Sequence, residues 1–313
     1  MAVFAPGPMH AQDDFPNRTI RLVAPSPPAG VHDVVGRLWA EQIKAELGTV
    51  VIENRPGAGT IIGAAEVVKA APDGYTLLLG STSSHVVAPV TANPNFDPMK
   101  DLEPIALLTA SFTSIAVTPS LPVKNVMELI AYAKARPGKL SYGSAGIGSM
   151  SHLTGELFKK LGGGIDMVHV PYKGAGPGIA DLVSGHIPVL TPNATGQVLQ
   201  LHESGKIRVL AVNARERLKA APNIPTAVET GMPDMNVLFF CGLFAPSGTP
   251  KNVIDLINKA TQKILRDEKF QARLVELGYE PMQNYGPAEA RTFITAEQIR
   301  WAPIIKASGA KAK

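Results

Sequence analysis

The sequence contains a single cysteine and no long hydrophobic run. Cys241 is the only cysteine in 313 residues, which excludes an intramolecular disulfide bond and a cysteine-rich metal site. No apolar stretch approaches the roughly 20 residues that a membrane-spanning helix requires. The seven histidines never fall at the close spacings typical of zinc ligands. We therefore expect no bound metal, and no motif indicates a cofactor.

The charged residues are few and dispersed. They make up 18% of the chain, with a formal net charge of +4. The lysines and arginines form no cluster interleaved with aromatic side chains, so a nucleic-acid partner is not expected. A mild positive balance is compatible with an anionic ligand but does not identify one.

The motifs of common enzymes are absent or incomplete. Gly57–Gly63 nearly matches the dinucleotide-binding fingerprint, but its third glycine comes one residue late. The acidic residue that should follow falls near the Asp73-Gly74 turn rather than at the end of a strand. The sequence has no P-loop and no nucleophile elbow. A tight turn explains the glycines better, and an enzyme of unknown type on a doubly wound α/β sheet is the alternative interpretation.

Strand-like and helix-like segments alternate along the chain. This alternation predicts an α/β fold with mainly parallel strand pairing, and the length suffices for two lobes. Asn125 followed by Glu128 predicts the start of one helix, and Pro303 is expected to end or kink the last. The predicted strands are Ile20–Ala24, Val50–Glu53, Thr76–Gly80, Ile105–Leu108, Ser114–Thr118, Leu140–Gly143, Met167–Val170, Ile187–Leu190 and Ile207–Val212. The predicted helices are Val34–Leu47, Ile61–Ala70, Val126–Ala135, Ser151–Leu161, Pro177–Val183, Asn252–Arg266 and Pro287–Trp301.

The segment Ser141–His152 carries the strongest local signal. A short apolar strand runs into a loop of glycine and serine, and a helical pattern starts directly after it. A strand that turns into a helix in this way leaves free backbone N–H groups at the positive end of the helix dipole. Small residues let an anion approach that backbone closely. The segment therefore predicts an anion-binding loop that needs neither metal nor nucleotide.

Two other segments repeat the pattern. Pro25–Gly30 follows the first strand and precedes a helix that Asp33 or His32 is expected to cap. Ser81–His85 follows another strand and is rich in hydroxyl groups. Glycine- and serine-rich loops also occur in α/β proteins without any ligand, so one loop alone is weak evidence. Their recurrence favours a site for a small anion.

Five motifs appear in a fixed order along the chain. They are Asn54-Arg-Pro-Gly-Ala-Gly59, Ala71-Pro-Asp-Gly-Tyr-Thr-Leu-Leu-Leu-Gly80, Lys134-Ala-Arg-Pro-Gly-Lys-Leu140, Val168-His-Val-Pro-Tyr-Lys-Gly174 and Ala245-Pro-Ser-Gly-Thr-Pro250. With these motifs the chain, from about Phe15 to Ala310, resembles the substrate-binding proteins of tripartite tricarboxylate transporters, the Bordetella uptake gene (Bug) family. The resemblance implies a receptor without catalytic activity, which hands an organic carboxylate to membrane permease subunits.

The resemblance also implies an architecture. It is a two-lobed, type II periplasmic-binding-protein-like fold with the ligand cleft between the lobes. Two extended segments, Val117–Pro122 and Asn236–Leu243, are candidates for the chain crossings between them. We expect lobe 1 to comprise 15–117 and 242–313, and lobe 2 to comprise 118–241. Such lobes close on a ligand by hinge motion, and we expect a monomer.

The cellular location is inferred from the same resemblance. It implies a periplasmic protein and therefore an exported chain. Residues 1–14 have neither the basic start nor the apolar core of a signal peptide, so we expect the signal to be absent or truncated here. These residues are expected to be disordered, or to be the remainder of a signal sequence or a cloning tag.

The expected site combines backbone amides at helix starts with hydroxyl and aromatic side chains. Amides donate charge-assisted hydrogen bonds to a carboxylate, and hydroxyl groups add further donors. His152, in the first turn of its helix, is the best imidazole candidate. Polar and aromatic side chains elsewhere are expected to contact the far end of the ligand. The predicted ligand-binding residues are Ala29, Gly30, Val31, His32, Asp33, Ser81, Thr82, Ser84, His85, Ser144, Ala145, Gly146, Gly148, Ser149, His152, Tyr172, Lys173, Asn193 and Phe240.

Three segments depart from the usual pattern of the family. The first loop usually reads Pro-Pro-Gly-Gly-Ser/Thr, and here it reads Pro27-Pro-Ala-Gly-Val-His32. Pro188 and Pro192 stand where acidic residues are usual, and Phe240-Cys241 replaces an aromatic pair. All three segments are expected near the cleft. They favour a ligand bulkier or less polar than a small amino acid, such as a dicarboxylate or an aromatic carboxylate.

Overall fold

A computed structural model describes residues 15–92 and 94–310, which form two β-sheets flanked by helices. The predictions for residues 1–14 lie outside the described part. The strands are β1 (Ile20–Ala24), β2 (Val50–Asn54), β3 (Thr76–Ser81), β4 (Leu102–Phe112), β5 (Ser114–Val117), β6 (Leu140–Ser144), β7 (Met167–Pro171), β8 (Val189–Leu190), β9 (Arg208–Val212), β10 (Leu238–Pro246) and β11 (Glu280–Pro281). The α-helices are α1 (Val31–Leu47), α2 (Ile61–Val68), α3 (Ala88–Thr91), α4 (Val126–Lys134), α5 (Met150–Leu161), α6 (Ala175–Ser184), α7 (Gly196–Glu203), α8 (Lys251–Leu265), α9 (Glu268–Glu276) and α10 (Pro287–Ala307). A π-helical turn at Ser83–Val87 precedes α3.

The first sheet has the strand order β11-β4-β10-β3-β1-β2. β1 pairs in parallel with both β2 and β3. β10 runs antiparallel to its two neighbours, β3 and β4. Because β1 and β3 are adjacent and parallel, the loops that follow them emerge at the same edge of the sheet.

The second sheet has the order β7-β6-β8-β5-β9. β6 is parallel to β7 and β8, whereas β5 is antiparallel to β8 and β9. The loops after β6, β7 and β8 therefore share one edge. The α/β class is confirmed, but the predicted mainly parallel pairing is wrong. Among the described residues four of the nine strand pairings are parallel, and five are antiparallel because β10, β5 and β11 each run opposite to their neighbours.

The chain passes between the sheets at Thr113 and Val237. β5 pairs within the second sheet, although the predicted first lobe extended to residue 117. β10 begins at Leu238 in the first sheet, although the predicted second lobe extended to residue 241. Both crossings therefore come earlier than the predicted boundaries. A single residue separates β4 from β5, and no turn residue marks the change of sheet in the sequence.

A compact hydrogen-bond network joins the two crossings. Thr113 N–H donates to the Val237 carbonyl (3.2 Å), Val237 N–H to the Asn213 carbonyl (2.8 Å), and Asn213 N–H to the Thr113 carbonyl (2.8 Å). The Asn213 amide and the Thr154 hydroxyl both donate to Thr113 Oγ1, at 2.9 and 3.0 Å. We expect any rotation of one sheet against the other to pivot at this network, because it is where the connecting strands meet.

Helix α10 continues through Pro303 to Ala307, so the predicted end of this helix near Trp301 is wrong. Proline deprives the carbonyl four residues earlier of its donor. That carbonyl belongs to Ile299, whose residue is 72% exposed, so water can take the place of the missing N–H. Trp301 is fully buried beside this turn and anchors the helix to the core.

Candidate functional site

The loop after β1 ends in a tight turn that leads directly into α1. Gly30 N–H donates to the Pro27 carbonyl (3.0 Å), and Ala29 has a positive φ of 63°. Gly30 is the N-cap, so neither Asp33 nor His32 caps the helix as predicted. Asp33 lies in the first turn instead, and its carboxylate accepts from Ala29 N–H at 2.9 Å.

Three amides at the start of α1 are available to a ligand. The first intrahelical bond runs from Val34 N–H to the Gly30 carbonyl, at 2.9 Å. The amides of Val31, His32 and Asp33 precede it, and none of them has a partner within residues 15–92 and 94–310. Oriented N–H groups of this kind, at the positive end of a helix, form an anion-binding site.

The loop after β6 repeats this geometry at the start of α5. Ser149 N–H donates to the Gly146 carbonyl (3.1 Å), and Gly148 has a φ of 78°. Ser149 is the N-cap and its hydroxyl accepts from His152 N–H at 3.1 Å. The His152 imidazole reaches back, and Nδ1 accepts from Gly148 N–H at 3.2 Å. Two amides, those of Met150 and Ser151, have no partner among the described residues.

Hydrogen bonds with hydroxyl groups and a histidine fix the conformation of the second loop. Ser144 Oγ accepts from Gly146 N–H (3.1 Å) and lies 2.7 Å from His169 Nε2. Ala145 N–H donates to Ser151 Oγ at 3.2 Å. The His169 ring stacks on His152, with ring centroids 4.1 Å apart. His169 was not among the predicted site residues, and its place in the Val-His-Val-Pro motif after β7 was the signal that could have found it.

The hydroxyl groups of the third loop are enclosed by the protein. Ser84 Oγ accepts from Ser81 N–H and lies 2.9 Å from His85 Nδ1. Thr82 Oγ1 accepts from Phe240 N–H at 2.9 Å. Ser81, Thr82, Ser84, His85 and Phe240 are all buried. In this conformation the loop supports β10 and the sheet edge, and a ligand contact for these five residues stays a prediction.

The residues predicted to contact the far end of the ligand lie in two different parts of the structure. Tyr172 donates its hydroxyl to Asp181 at 2.7 Å, and its own N–H bonds the Ser144 carbonyl at 3.0 Å. Lys173 is exposed beside it. Asn193 forms a β-bridge with Thr113 next to a crossing between the sheets. Tyr172 and Lys173 thus border the second loop, while Asn193 borders the crossing at Thr113.

The imidazoles of the three loops and of β7 are held neutral by burial. Desolvation lowers the pKa of His32 to about 4 and that of His85 to about 3. Burial, together with the neighbouring His152, lowers the pKa of His169 to about 4. Burial also lowers the pKa of His152. At neutral pH these side chains therefore carry no positive charge, and an anion would depend on the amides.

Two negative observations apply to the described residues. Within 15–92 and 94–310, no three His, Cys, Asp or Glu side chains are grouped so that they could hold a metal ion. In that same part of the chain, no helix combines the length and the hydropathy that crossing a membrane requires.

Several known proteins are similar to this chain over more than nine-tenths of its length. Protein BugT of Bordetella pertussis is 34% identical over 305 residues, covering 96% of this chain and 92% of BugT. A protein of R. palustris, solved with adipate, is 33% identical with a TM-score of 0.83, covering 95% of this chain and 99% of that one. MatC from Rhodopseudomonas palustris, solved with bound malate, is 31% identical with a TM-score of 0.79, covering 93% of this chain and 100% of MatC.

The family match spans both sheets. Residues 35–310 match the family described as tripartite tricarboxylate transporter family receptor. The two-sheet α/β architecture is that of solved periplasmic binding proteins of this family, and such receptors are not enzymes. The resemblance of the five motifs is thereby confirmed. The chain belongs to the tripartite tricarboxylate transporter receptor family, whose relatives include the Bug proteins.

Proposed function

We propose that the protein is a periplasmic receptor that captures an organic carboxylate between its two sheets and delivers it to the membrane permease subunits of a tripartite transporter. The pair of matching turns at the starts of α1 and α5 carries the proposal, because each presents unpaired amides at a helix N-terminus. The relatives solved with adipate and malate support a dicarboxylate as ligand. An aromatic carboxylate remains within the same proposal.

The two turns differ in how strongly they should attract the carboxylate. Asp33 keeps its charge at neutral pH, because its bond with Arg37 and the Ala29 amide lower its pKa. That carboxylate offsets the positive end of α1. His152 holds the equivalent position on α5 and is neutral, so the dipole of α5 is not offset. We place the ligand carboxylate at the second loop, against the amides of Met150 and Ser151.

The first loop then contacts the other end of the ligand. Val31, His32 and Asp33 offer amides there, and His32 adds a buried ring beside Phe239, with centroids 6.1 Å apart. The lobes that enclose the ligand are 15–112 with 238–310, and 113–237. Closure pivots at the network of Thr113, Asn213 and Val237.

Titration calorimetry with a matched series of ligands tests the proposal. Adipate and malate, or benzoate as an aromatic carboxylate, are expected to bind one molecule per chain, while the uncharged diamide of adipate is not. The bound acid should be recovered unchanged, because a receptor consumes nothing. If none of these carboxylates binds, or if the diamide binds equally well, the proposal is wrong.

A further inference from the structure

A cavity of about 880 Å³ lies at the junction of the two sheets, apart from both loops. Its volume falls within the range of small-molecule sites, about 300–1,000 Å³. None of the predicted ligand-binding residues lines it. Its walls come from the ends of β4 and β10, from 214–219 after β9, from β11, and from α5 and α10.

The strand orders place this cavity on the far side of the hinge. In the first sheet, β4 and β10 separate β11, which carries Glu280, from β3 and its loop. In the second sheet, β5 separates β9 from β8 and β6. The crossing strands therefore lie between the cavity and the two turns in both sheets. A ligand in the cavity would occupy a second site, distinct from the proposed carboxylate site.

One wall of the cavity is apolar. Phe112 and Leu238 are directly paired across β4 and β10. Tyr285 and Phe293 contribute two rings in an edge-to-face arrangement, with centroids 5.5 Å apart. Leu157 extends this wall from the second sheet. The surface suits an aromatic or branched aliphatic body.

Three of the charged side chains around the cavity are already compensated. Arg217 pairs with Glu229 at 3.0 Å, and Arg300 with Glu297 at 3.4 Å. The other charged side chains on the rim are exposed, so solvent screens them. They are Arg215, Glu216, Lys219 and Asp234.

Two acceptors in the cavity stand out because they are shielded from water. Glu280 is half-buried, and its carboxylate accepts one bond, from Lys219 N–H at 3.2 Å. Burial raises the pKa of this carboxyl, and the amide and the charge of Lys219 offset part of that rise. Asn236 Oδ1 is buried and has no hydrogen-bond partner among the described residues. A carboxylate with one hydrogen bond and a buried amide oxygen with none leave acceptor positions that a donor from a ligand can fill.

We propose that this hinge cavity binds a second class of small molecule, one with an aromatic or branched apolar body and a primary amine head. The ammonium group donates to the Glu280 carboxylate and to Asn236 Oδ1. The apolar body lies against Tyr285, Phe293 and the Phe112–Leu238 pair. The proposal does not depend on the carboxylate site, because the two sites share no residue.

Ligand-observed NMR on the full chain tests this with three probes that share a phenyl body. Phenethylamine carries the amine, hydrocinnamate a carboxylate and phenethyl alcohol a neutral head. With adipate in excess to occupy the proposed carboxylate site, phenethylamine is expected to bind, and the other two more weakly. Glu280→Gln should weaken the amine about tenfold, because it removes a charge-assisted hydrogen bond. Equal binding of the three probes, or no binding of the amine at millimolar concentration, would overturn the proposal.

Two tryptophan variants on α10 locate the bound amine. Ala296 lines the cavity and is exposed, so Ala296→Trp fills the space without disturbing the core. Ile299→Trp adds the same ring one turn along at a residue that is 72% exposed and does not line the cavity. Ala296→Trp should abolish amine binding, and Ile299→Trp should leave it intact. Amine binding that survives Ala296→Trp, or that is lost equally in both variants, contradicts the assignment.

Discussion

The two loops that start α1 and α5 have the same backbone hydrogen bonding but differ in charge. Each contains a turn with a positive φ at its third residue, at Ala29 and Gly148. In each, the side chain of the third helical residue points back along the chain. It accepts a hydrogen bond from the backbone N–H of the positive-φ residue. That side chain is the charged Asp33 on α1 and the neutral His152 on α5. The comparison teaches that hydrogen-bond geometry alone does not make two helix starts equal anion sites, because a built-in carboxylate competes with the ligand.

The loops also differ in how their backbone conformation is obtained. The second uses glycine at its positive-φ position, whereas the first uses alanine, for which this region is unfavourable by roughly 1–2 kcal/mol. The second is capped by a serine side chain, whereas the Gly30 cap of the first contributes no side-chain bond. The first loop therefore relies on Pro27, Pro28 and the Asp33 carboxylate for its shape. We expect substitutions to act differently at the two sites.

The largest expected effect is on ligand affinity at Gly148. A Cβ built there meets no protein atom within 4 Å, so it projects into the space that we assign to the carboxylate. Gly148→Val should weaken adipate or malate binding by at least about a hundredfold, because two amide bonds of roughly 1.5–3 kcal/mol each are lost. Calorimetry measures this change directly.

Gly164→Val is the matched control for that variant. Gly164 has a φ of 74° and equally open surroundings, but it lies beyond the far end of α5. Both variants share the backbone strain, and only Gly148→Val should lose the ligand. Equal losses would contradict the assignment. Gly30→Val is not a suitable counterpart, because its Cβ would lie 2.8 Å from Ser26 Oγ and disturb the loop itself.

The next effect is a loss of stability in acid. A histidine with a depressed native pKa binds a proton more readily when unfolded, so stability falls as pH decreases from about 6.5 toward the native value. For His85 that value is about 3, and for His32 about 4. By pH 5 the free energy of unfolding should fall by up to about 2 kcal/mol for each of these buried imidazoles. Denaturant melts across this pH range measure the slope.

Two variants separate titration from packing in this experiment. His85→Leu should flatten the dependence on pH, because one titrating group is removed. Phe244→Leu removes the ring on which His85 stacks, at 3.8 Å between centroids, and should lower stability without flattening the slope. An unchanged slope in His85→Leu would show that this imidazole is not responsible.

A smaller effect, on stability, is expected when alanine and glycine are exchanged at the two positive-φ positions. Ala29→Gly should raise the free energy of unfolding by about 1 kcal/mol, because the relief of strain exceeds the added freedom of glycine in the unfolded chain. Gly148→Ala should lower it by a similar amount. Chemical denaturation of both variants measures these changes, and changes of the same sign would break the comparison of the two loops.

The smallest effect concerns the charge at the first loop. Asp33→Asn keeps an acceptor for Ala29 N–H and removes the negative charge. Ligand affinity should rise two- to threefold, or about 0.5 kcal/mol, because the dipole of α1 is no longer offset. Arg37→Gln should act in the opposite direction, since it leaves the Asp33 charge without its partner at 2.8 Å. Weaker binding in Asp33→Asn would show that the first loop does not face the anion.

Local signals in the sequence were sufficient for most of the central elements. β1 and the start of α4 are confirmed, with Asn125 Oδ1 accepting from Glu128 N–H at 2.9 Å. Strand β10 was missed within the predicted crossing segment Asn236–Leu243, which does contain the crossing at Val237, because an apolar run without alternation does not reveal which sheet it joins. Helices α7 and α9 were missed, since short helices carry too few turns to show a clear period.

The amino-acid sequence by itself determined the alternation of strands and helices, the small-residue loops at the starts of α1 and α5, and the resemblance to a receptor family. These are local properties, set by backbone preferences over a few residues. Only the tertiary structure decided that Thr82 and Ser84 turn inward, that Asp33 and His152 hold equivalent positions, and that a cavity opens behind the hinge. Those features depend on which strands pair across long separations in sequence, and side-chain periodicity does not encode that pairing.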